Sequence, residues 1–275
     1  MPQKIFVDDA FLARLPSSPI PGDSVNTSFV HRQWNFGFTA ANSGFKWVEQ
    51  GKEHYTINGK YHELIPGRIL WVNAGDELIM ANEKNTQGIC INISPATLHN
   101  FLQEQEIVSN NLQLEGGIIP SVLLPNTDIS ELPAWENTFA LLLELLDNLD
   151  ASKNRLPHKS KNSLKMVSRQ LQIAWQLLSN PQHFEKNLDY FAAACGMSPY
   201  HFTRCFTAFF GCSPKKHHAQ IRLQHARQEL QSGNNILPFY FQYGYSDYSA
   251  FSRAFKAQHG ISPKNLARNA KLIAA

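Results

Sequence analysis

The chain has 275 residues, of which 43% are hydrophobic and 17% charged, and it carries four cysteines. That composition is too apolar for wholesale disorder. No run of about 18 apolar residues reads as a membrane span, and four cysteines in this length make no disulfide framework. The net charge of +3 conceals an imbalance: residues 1–150 hold 8 Lys and Arg against 18 Asp and Glu, whereas residues 151–275 hold 17 against 4. An acidic front and a basic back point to two domains with different partners, the basic one a candidate for nucleic acid.

The chain starts MPQKIFVDDAFLARLP, with two aspartates where a secretion signal needs its apolar stretch. It reads as lacking such a signal, and a reducing cytoplasm is expected. Residues 26–93 read as short strands. Turn signals recur at Asn42-Ser43-Gly44, Asn58-Gly59, Pro66-Gly67 and Ala74-Gly75-Asp76, between β-branched and aromatic runs. Asn58-Gly59 between Tyr55-Thr56-Ile57 and Tyr61-His62 is a strong hairpin signal. Many short strands at this spacing predict a sandwich or small barrel. After Pro95 the pattern turns helical. Short and long helices are predicted over 96–106 and 135–149, the latter with a wide apolar face suited to packing on the sheet, on a second subunit, or on both. The polar, basic stretch 150–162 marks a boundary, although a helical period resumes over 164–179.

From Leu188 onward the chain reads as helical and repeats itself. FTRCFTAFFGCSP at 202–214 and FSRAFKAQHGISP at 251–263 share seven of thirteen residues at an offset of 49, and each follows a Gly-x-Ser turn. Two copies are too few for a solenoid, so one helical module is used twice. In the first copy Gly196 ends the helix over 188–195, Ser198 is the expected N-cap and Pro199 takes the first helical position. In the second, Gly244 follows a helix expected over 236–243, and Ser246 is the expected cap. Two helices joined by a short glycine turn make a helix-turn-helix. Phe202, Phe206 and Phe209, matched by Phe251 and Phe255, form the buried stripe. The opposite faces present Tyr200, His201, Thr203, Arg204 and Thr207, then Tyr248, Ser249, Ser252, Arg253 and Lys256. Such side chains can meet base edges and phosphates of duplex DNA. A helix over 221–231 holds the modules apart, and a spacing of about 34 Å would put both recognition helices on one side of the duplex.

These residues resemble the AraC/XylS family of bacterial transcription regulators. The resemblance runs from Leu188 to Arg268 through Ala192-x-x-x-Gly196-Met197-Ser198, Phe202-x-Arg204-x-Phe206, Gly211-x-Ser213-Pro214, Arg222-Leu223-x-x-Ala226, Gly244-Tyr245-Ser246-Asp247, Phe251-Ser252-Arg253-x-Phe255-Lys256 and Gly260-x-Ser262-Pro263. It implies an α+β protein of two domains: an N-terminal cupin-like β-barrel over 1–155 for effector sensing or dimerisation, a linker and connecting helix over 156–184, and a double helix-turn-helix DNA-binding domain over 185–275. It also implies an activator, with RNA polymerase and a second copy of the chain as partners. Carried over by position, DNA contacts fall on Tyr200, Thr203 and Arg204, and on Tyr248, Ser249, Ala250 and Arg253. The sequence departs from the pattern at Tyr240, where a small alanine is usual, at Pro238, at His217, and at Leu266-Ala267. A ring at Tyr240 requires a shifted helix or a surface site.

Other chemistry is weakly signalled. His31, His54, His62 and His99 are scattered with no His-x-His, so neither a metal nor another cofactor is expected. Cys195, Cys205 and Cys212 fall at positions the helical period buries. Nucleotide-binding and hydrolase signatures are lacking, and the chain is not read as an enzyme. The aromatic residues of the strand region suit either plain core packing or an apolar, ring-shaped effector. Arg32, Trp34, Phe36, Trp47, Tyr55 and Trp71 are the candidate effector residues. Arg32 and Arg68 suit an anionic group or a salt bridge equally well. Two other readings stay open: a regulator controlled by a partner protein with no small-molecule pocket, and a cupin enzyme carrying a helical appendage.

Overall fold

The computed structural model describes residues 2–13, 22–105, 114–120, 123–124, 135–157, 160–232 and 237–273. The chain divides into two compact units, Met1–Gln172 and Ile173–Ala275. The first is built on β-sheet and the second is helical, so the fold is α+β.

The first unit opens with β1 (Gln3–Val7) and a single helical turn, α1 (Asp9–Leu12), followed by β2 (Ser24–Val30), β3 (Asn35–Thr39), β4 (Ser43–Gln50), β5 (Glu53–Ile57), β6 (Lys60–Leu64), β7 (Leu70–Val72), β8 (Glu77–Asn82) and β9 (Thr86–Ile93). A short β10 (Gly117–Ile118) completes it. The strands form a six-stranded sheet in the order β1-β2-β9-β4-β7-β10 and a four-stranded sheet in the order β3-β8-β5-β6. β1 lies outside the predicted strand region because its short, charged run gives no clear alternation; it is ordered by parallel pairing with β2. The predicted hairpin forms between β5 and β6. Asn58 and Gly59 both take positive φ, +49° and +79°, which a two-residue hairpin turn of matching twist demands.

The inner faces of the sheets supply the core, with Val48, Tyr55, Ile57, Leu64, Leu70 and Leu78 packed together. Each such side chain fully buried contributes about 1.5–3 kcal/mol. Helix α2 (Pro95–Glu104) starts at Ser94, whose hydroxyl accepts the Thr97 amide at 3.2 Å; its expected end at Glu106 lies outside the described residues. Helix α3 (Trp135–Asn154) runs five residues beyond its expected end, into the polar stretch. Helix α4 (Lys161–Ser179) follows.

In the second unit, the last turns of α4 precede a 3₁₀ turn at Pro181–His183. Then come α5 (Leu188–Ala194), α6 (Pro199–Phe210), α7 (Pro214–Gln231), a 3₁₀ segment at Leu237–Tyr243, α8 (Tyr248–His259) and α9 (Pro263–Ile273). The central α7 is seven residues longer than predicted, because Ser213 caps it and Pro214 takes its first position. The added turns carry His217 and His218, both buried. His217 stacks on Trp175 at 3.6 Å, and the His218 Nδ1–H donates to the Leu178 carbonyl at 2.9 Å.

Candidate nucleic-acid interface and barrel cavity

The first module is regular. Asn187 caps α5 by accepting the Tyr190 amide at 3.1 Å. Gly196 turns the chain at φ +64°, and Ser198 accepts the His201 amide at 3.3 Å to start α6. The face of α6 carrying Phe202, Cys205, Phe206, Phe209 and Phe210 is buried, with Trp175 stacked on Phe206 at 6.0 Å. The other face is open. Tyr200 is 78% exposed, Arg204 and Thr207 are exposed, and His201 and Thr203 are half-buried. The Thr203 hydroxyl donates to the Pro199 carbonyl at 2.8 Å and the Thr207 hydroxyl to the Thr203 carbonyl at 2.7 Å. Both oxygens therefore face outward chiefly as acceptors.

The second module is built differently at its start. The expected helix over 236–243 is a 3₁₀ segment, broken at Phe239 (φ −112°, ψ +23°); Ile236 lies outside the described residues. Ser246 is not the cap of the next helix. Asp247 is, with its Oδ1 accepting the Ala250 amide at 2.7 Å. A carboxylate one residue nearer the helix offers the stronger acceptor at the positive end of the dipole. Helix α8 buries Phe251 and Phe255 and exposes Ser249, Arg253 and Lys256. Tyr248 and Ala250 are half-buried, and Tyr248 lies against the aromatic cluster around Phe251. Arg204 and Arg253, at equivalent positions of α6 and α8, are both exposed and make no ion pair among the described residues. Each can offer a guanidinium fork to a phosphate or a base edge.

Residues whose structural role sequence reasoning missed hold this second module in place. Arg222, half-buried on α7, donates from Nη1 to the Phe184 carbonyl at 3.2 Å and lies over the Tyr245 ring at 5.5 Å. His259 donates from Nε2 to the Leu223 carbonyl at 3.0 Å, and Gln258 donates to the Gln220 carbonyl at 2.9 Å. Their signal was weak: polar residues at the end of one helix reveal no partner until the fold brings the partner near. The cysteines are a plainer case. Cys195 and Cys205 are buried, whereas Cys212, also expected inside, is half-buried; burial pushes the Cys195 thiol up to about 11, as expected of a packing residue.

In the first unit a cavity of about 480 Å³ is lined from both sheets and from the N-terminal segment. Val7, Phe11 and Leu12 cover it from one side, while Trp34, Phe36, Phe38 and Tyr55 supply aromatic wall. Of the candidate effector residues, Trp34, Phe36 and Tyr55 line this space, and Arg32, Trp47 and Trp71 do not. Trp47 and Trp71 are core residues, 3% and 0% exposed, and Trp71 packs edge-on to Phe45 at 4.8 Å. Arg32 is exposed; its backbone amide donates to Asp9 Oδ1 at 3.2 Å and its carbonyl accepts from the Asn82 side-chain amide at 2.8 Å. Arg68 is buried, donating to the Glu63 carbonyl at 3.1 Å. Asp9 anchors the covering segment: it accepts the Trp34 indole N–H at 2.8 Å and the His31 amide at 3.1 Å. The Trp34 hydrogen bond is the main reason its carboxyl is held below the usual range.

The cavity wall also holds Lys46 and Glu53, 3.3 Å apart and both buried, with the Tyr55 hydroxyl donating to the second Glu53 oxygen at 2.8 Å. Burial, the largest single influence, opposes the charged form of Lys46, yet the Glu53 charge and hydrogen bond together with Cys90 outweigh it and the net direction is up. Burial, then Glu53, raises Tyr55 well above the ordinary range. A clue to this pair was visible in the sequence: Lys46 shares a strand face with Gly44 and Val48, so one charge sits on an otherwise inward-facing row. Among the described residues no group of three His, Cys, Asp or Glu is placed to hold a metal ion, and no helix is long and apolar enough to cross a membrane.

Comparison with known proteins bears on both units. The family model of the AraC-like ligand binding domain matches residues 45–174, and that of a helix-turn-helix domain matches residues 191–269. The HTH-type transcriptional activator RhaS of Mannheimia succiniciproducens is 26% identical over 236 residues, spanning 80% of this chain and 84% of that protein. The probable transcription factor PqrA of Proteus vulgaris is 31% identical over 83 residues, covering 30% of this chain and 68% of that protein. Among solved structures, the C-terminal domain of AraT, a response regulator from Geobacillus stearothermophilus, covers 38% of this chain and 84% of its own, with 26% identity and a TM-score of 0.32. With a ligand-binding β domain ahead of a paired helix-turn-helix, the chain belongs to the AraC family of DNA-binding transcription regulators.

Proposed function

We propose that the chain is a transcription activator whose barrel binds a small-molecule effector and whose helical domain reads a specific duplex sequence. The observation that carries effector control is the cavity of about 480 Å³, inside the range of small-molecule sites. A barrel governed by a partner protein would need no such space. An activating role is supported by RhaS, a relative named as an activator. RNA polymerase is then the natural partner, and a second copy of the chain would supply a second half-site. In this reading residues 1–155 sense the effector, 156–184 connect, and 185–275 bind DNA.

Tyr200, Thr203 and Arg204 from α6, with Ser249 and Arg253 from α8, meet the duplex directly. Tyr248 and Ala250 support the second set from its half-buried edge. The two arginines position the protein on phosphates or read guanine edges. The test starts with selection of bound duplexes from random DNA by the full chain. Arg204→Ala and Arg253→Ala should each weaken binding to the selected sequence by roughly 1–3 kcal/mol. Loss of discrimination at one base pair would mark a base contact, and a uniform loss with a shallower salt dependence a phosphate contact. Undiminished affinity in both variants would overturn this assignment.

A further inference from the structure

The cavity wall is mostly apolar, and its charge is confined to one place. Among the described residues lining it, Lys46 and Glu53 are the only charged ones, and they face each other at 3.3 Å. Each oxygen of the Glu53 carboxylate already has one partner, Lys46 on one and the Tyr55 hydroxyl on the other. The ammonium of Lys46 has three N–H donors, and Glu53 engages one. The wall thus offers donors on a cation already neutralised, among aromatic rings and neutral amides such as Asn26 and Asn92.

We propose that the cavity takes an uncharged molecule, an apolar ring system bearing a carbonyl or hydroxyl oxygen that accepts from Lys46, and that Glu53 sets this preference by cancelling the Lys46 charge. The inference rests on the effector reading above and names the ligand class for it. A carboxylate would bring an unbalanced charge into the cavity and lose hydration without a free cation in return. An amine would place a second cation beside Lys46, with one carboxylate to balance both.

The test uses the full chain and the uncharged fluorescent probe N-phenyl-1-naphthylamine, displaced by three molecules of one shape: acetophenone, benzoate and benzylamine. Acetophenone should displace the probe at a concentration at least tenfold lower than either ion. In Glu53→Gln the order of acetophenone and benzoate should reverse, because the Lys46 charge is then uncompensated. In Lys46→Met the advantage of acetophenone should vanish. Should a variant fail to fold, as judged by circular dichroism, the ranking in the unaltered chain still decides. Benzoate displacing the probe as well as acetophenone there would overturn the ligand class and leave the effector reading standing. Failure of the probe to bind, with no heat from any of the three in calorimetry, would overturn the effector reading together with the ligand class.

Discussion

The two helix-turn-helix copies share seven of thirteen residues from their second helices through the turn that follows, yet their first helices differ. In the first copy Ala192, wholly buried, lets α5 pack closely. Four residues before the turn glycine of the second copy stands Tyr240 instead, half-buried. Its ring does not fit where a methyl does. The segment answers by unwinding into 3₁₀ turns with a break at Phe239, and Tyr240 settles beside Tyr248 at 6.1 Å. Phe239 and Phe241 are left 45% and 56% exposed. The recognition helices are nevertheless alike: both bury a phenylalanine pair at i and i+4, and both expose one arginine. A helix-turn-helix therefore tolerates change in its first helix so long as the stripe of the second is filled.

That equivalence is tested most severely in the stripe itself. Phe206 and Phe255 are both fully buried. Phe206→Ala and Phe255→Ala should each cost about 3–5 kcal/mol through lost transfer energy and the cavity left behind, read from denaturant unfolding. A cost below about 1 kcal/mol at Phe255 alone would break the comparison, showing the second copy to be loosely packed.

Acidification should separate the copies next. His218, beside Phe191 of the first module at 5.1 Å, is held neutral by burial, with its pKa lowered to about 4. An unfolded histidine titrates near 6.5. Above that pH both states are neutral and nothing is lost. Between 6.5 and about 4 the unfolded chain takes up a proton that the folded one refuses, so stability falls by up to about 3 kcal/mol and then levels off. His259 of the second module is shifted the same way by burial, so it adds to the slope. His62 in the first unit is also lowered to about 4, chiefly by burial, so His218→Asn, which keeps a donor for the Leu178 carbonyl, should lessen the pH dependence of the unfolding midpoint without abolishing it. An unchanged slope would assign acid sensitivity elsewhere.

The turn glycine gives a sharper contrast. Gly244 and Gly260 both sit at φ +74°. A Cβ at Gly260 meets nothing, whereas at Gly244 it would clash with Arg222 Nη1 and lie 3.0 Å from the Phe184 carbonyl oxygen. Gly260→Ala should cost about 1 kcal/mol for the left-handed backbone alone. Gly244→Ala should cost about 2–3 kcal/mol, since it also expels Arg222 from its hydrogen bond. Equal costs would mean that Arg222 swings away freely.

What the sequence made legible follows the range of each signal. Periodicity and turn chemistry are local, so the strands from Ser43 to Ile93, the Asn58-Gly59 hairpin and the phenylalanine stripes could be read directly. Gln3–Val7 could not, because its order comes from pairing with a strand about twenty residues away. The aromatic candidates for the barrel show the same limit. Composition finds the rings but not their direction: Trp34 and Tyr55 face the cavity, while Trp47 and Trp71 belong to the core. Lys46 and Glu53 were passed over because a lone charge in a strand means little until its partner on the other sheet is known.

The smallest effect decides how the second recognition helix begins. Ser246 and Asp247 are both good N-cap residues, and sequence matching to Ser198 favours the serine. In the fold Asp247 has extended backbone (φ −144°, ψ +154°) and accepts the Ala250 amide, which leaves Ser246 one residue outside the helix. Removing a cap exposes an unpaired amide at the helix start, whereas removing a hydroxyl outside it exposes none. Asp247→Ala should therefore cost about 1 kcal/mol, as should Ser198→Ala in the first copy, while Ser246→Ala should leave the unfolding midpoint within error. Cost at Ser246 and none at Asp247 would shift the start of α8 by one residue. Arg253 would keep its direction in either case, because burial of Phe251 and Phe255 fixes the face of α8.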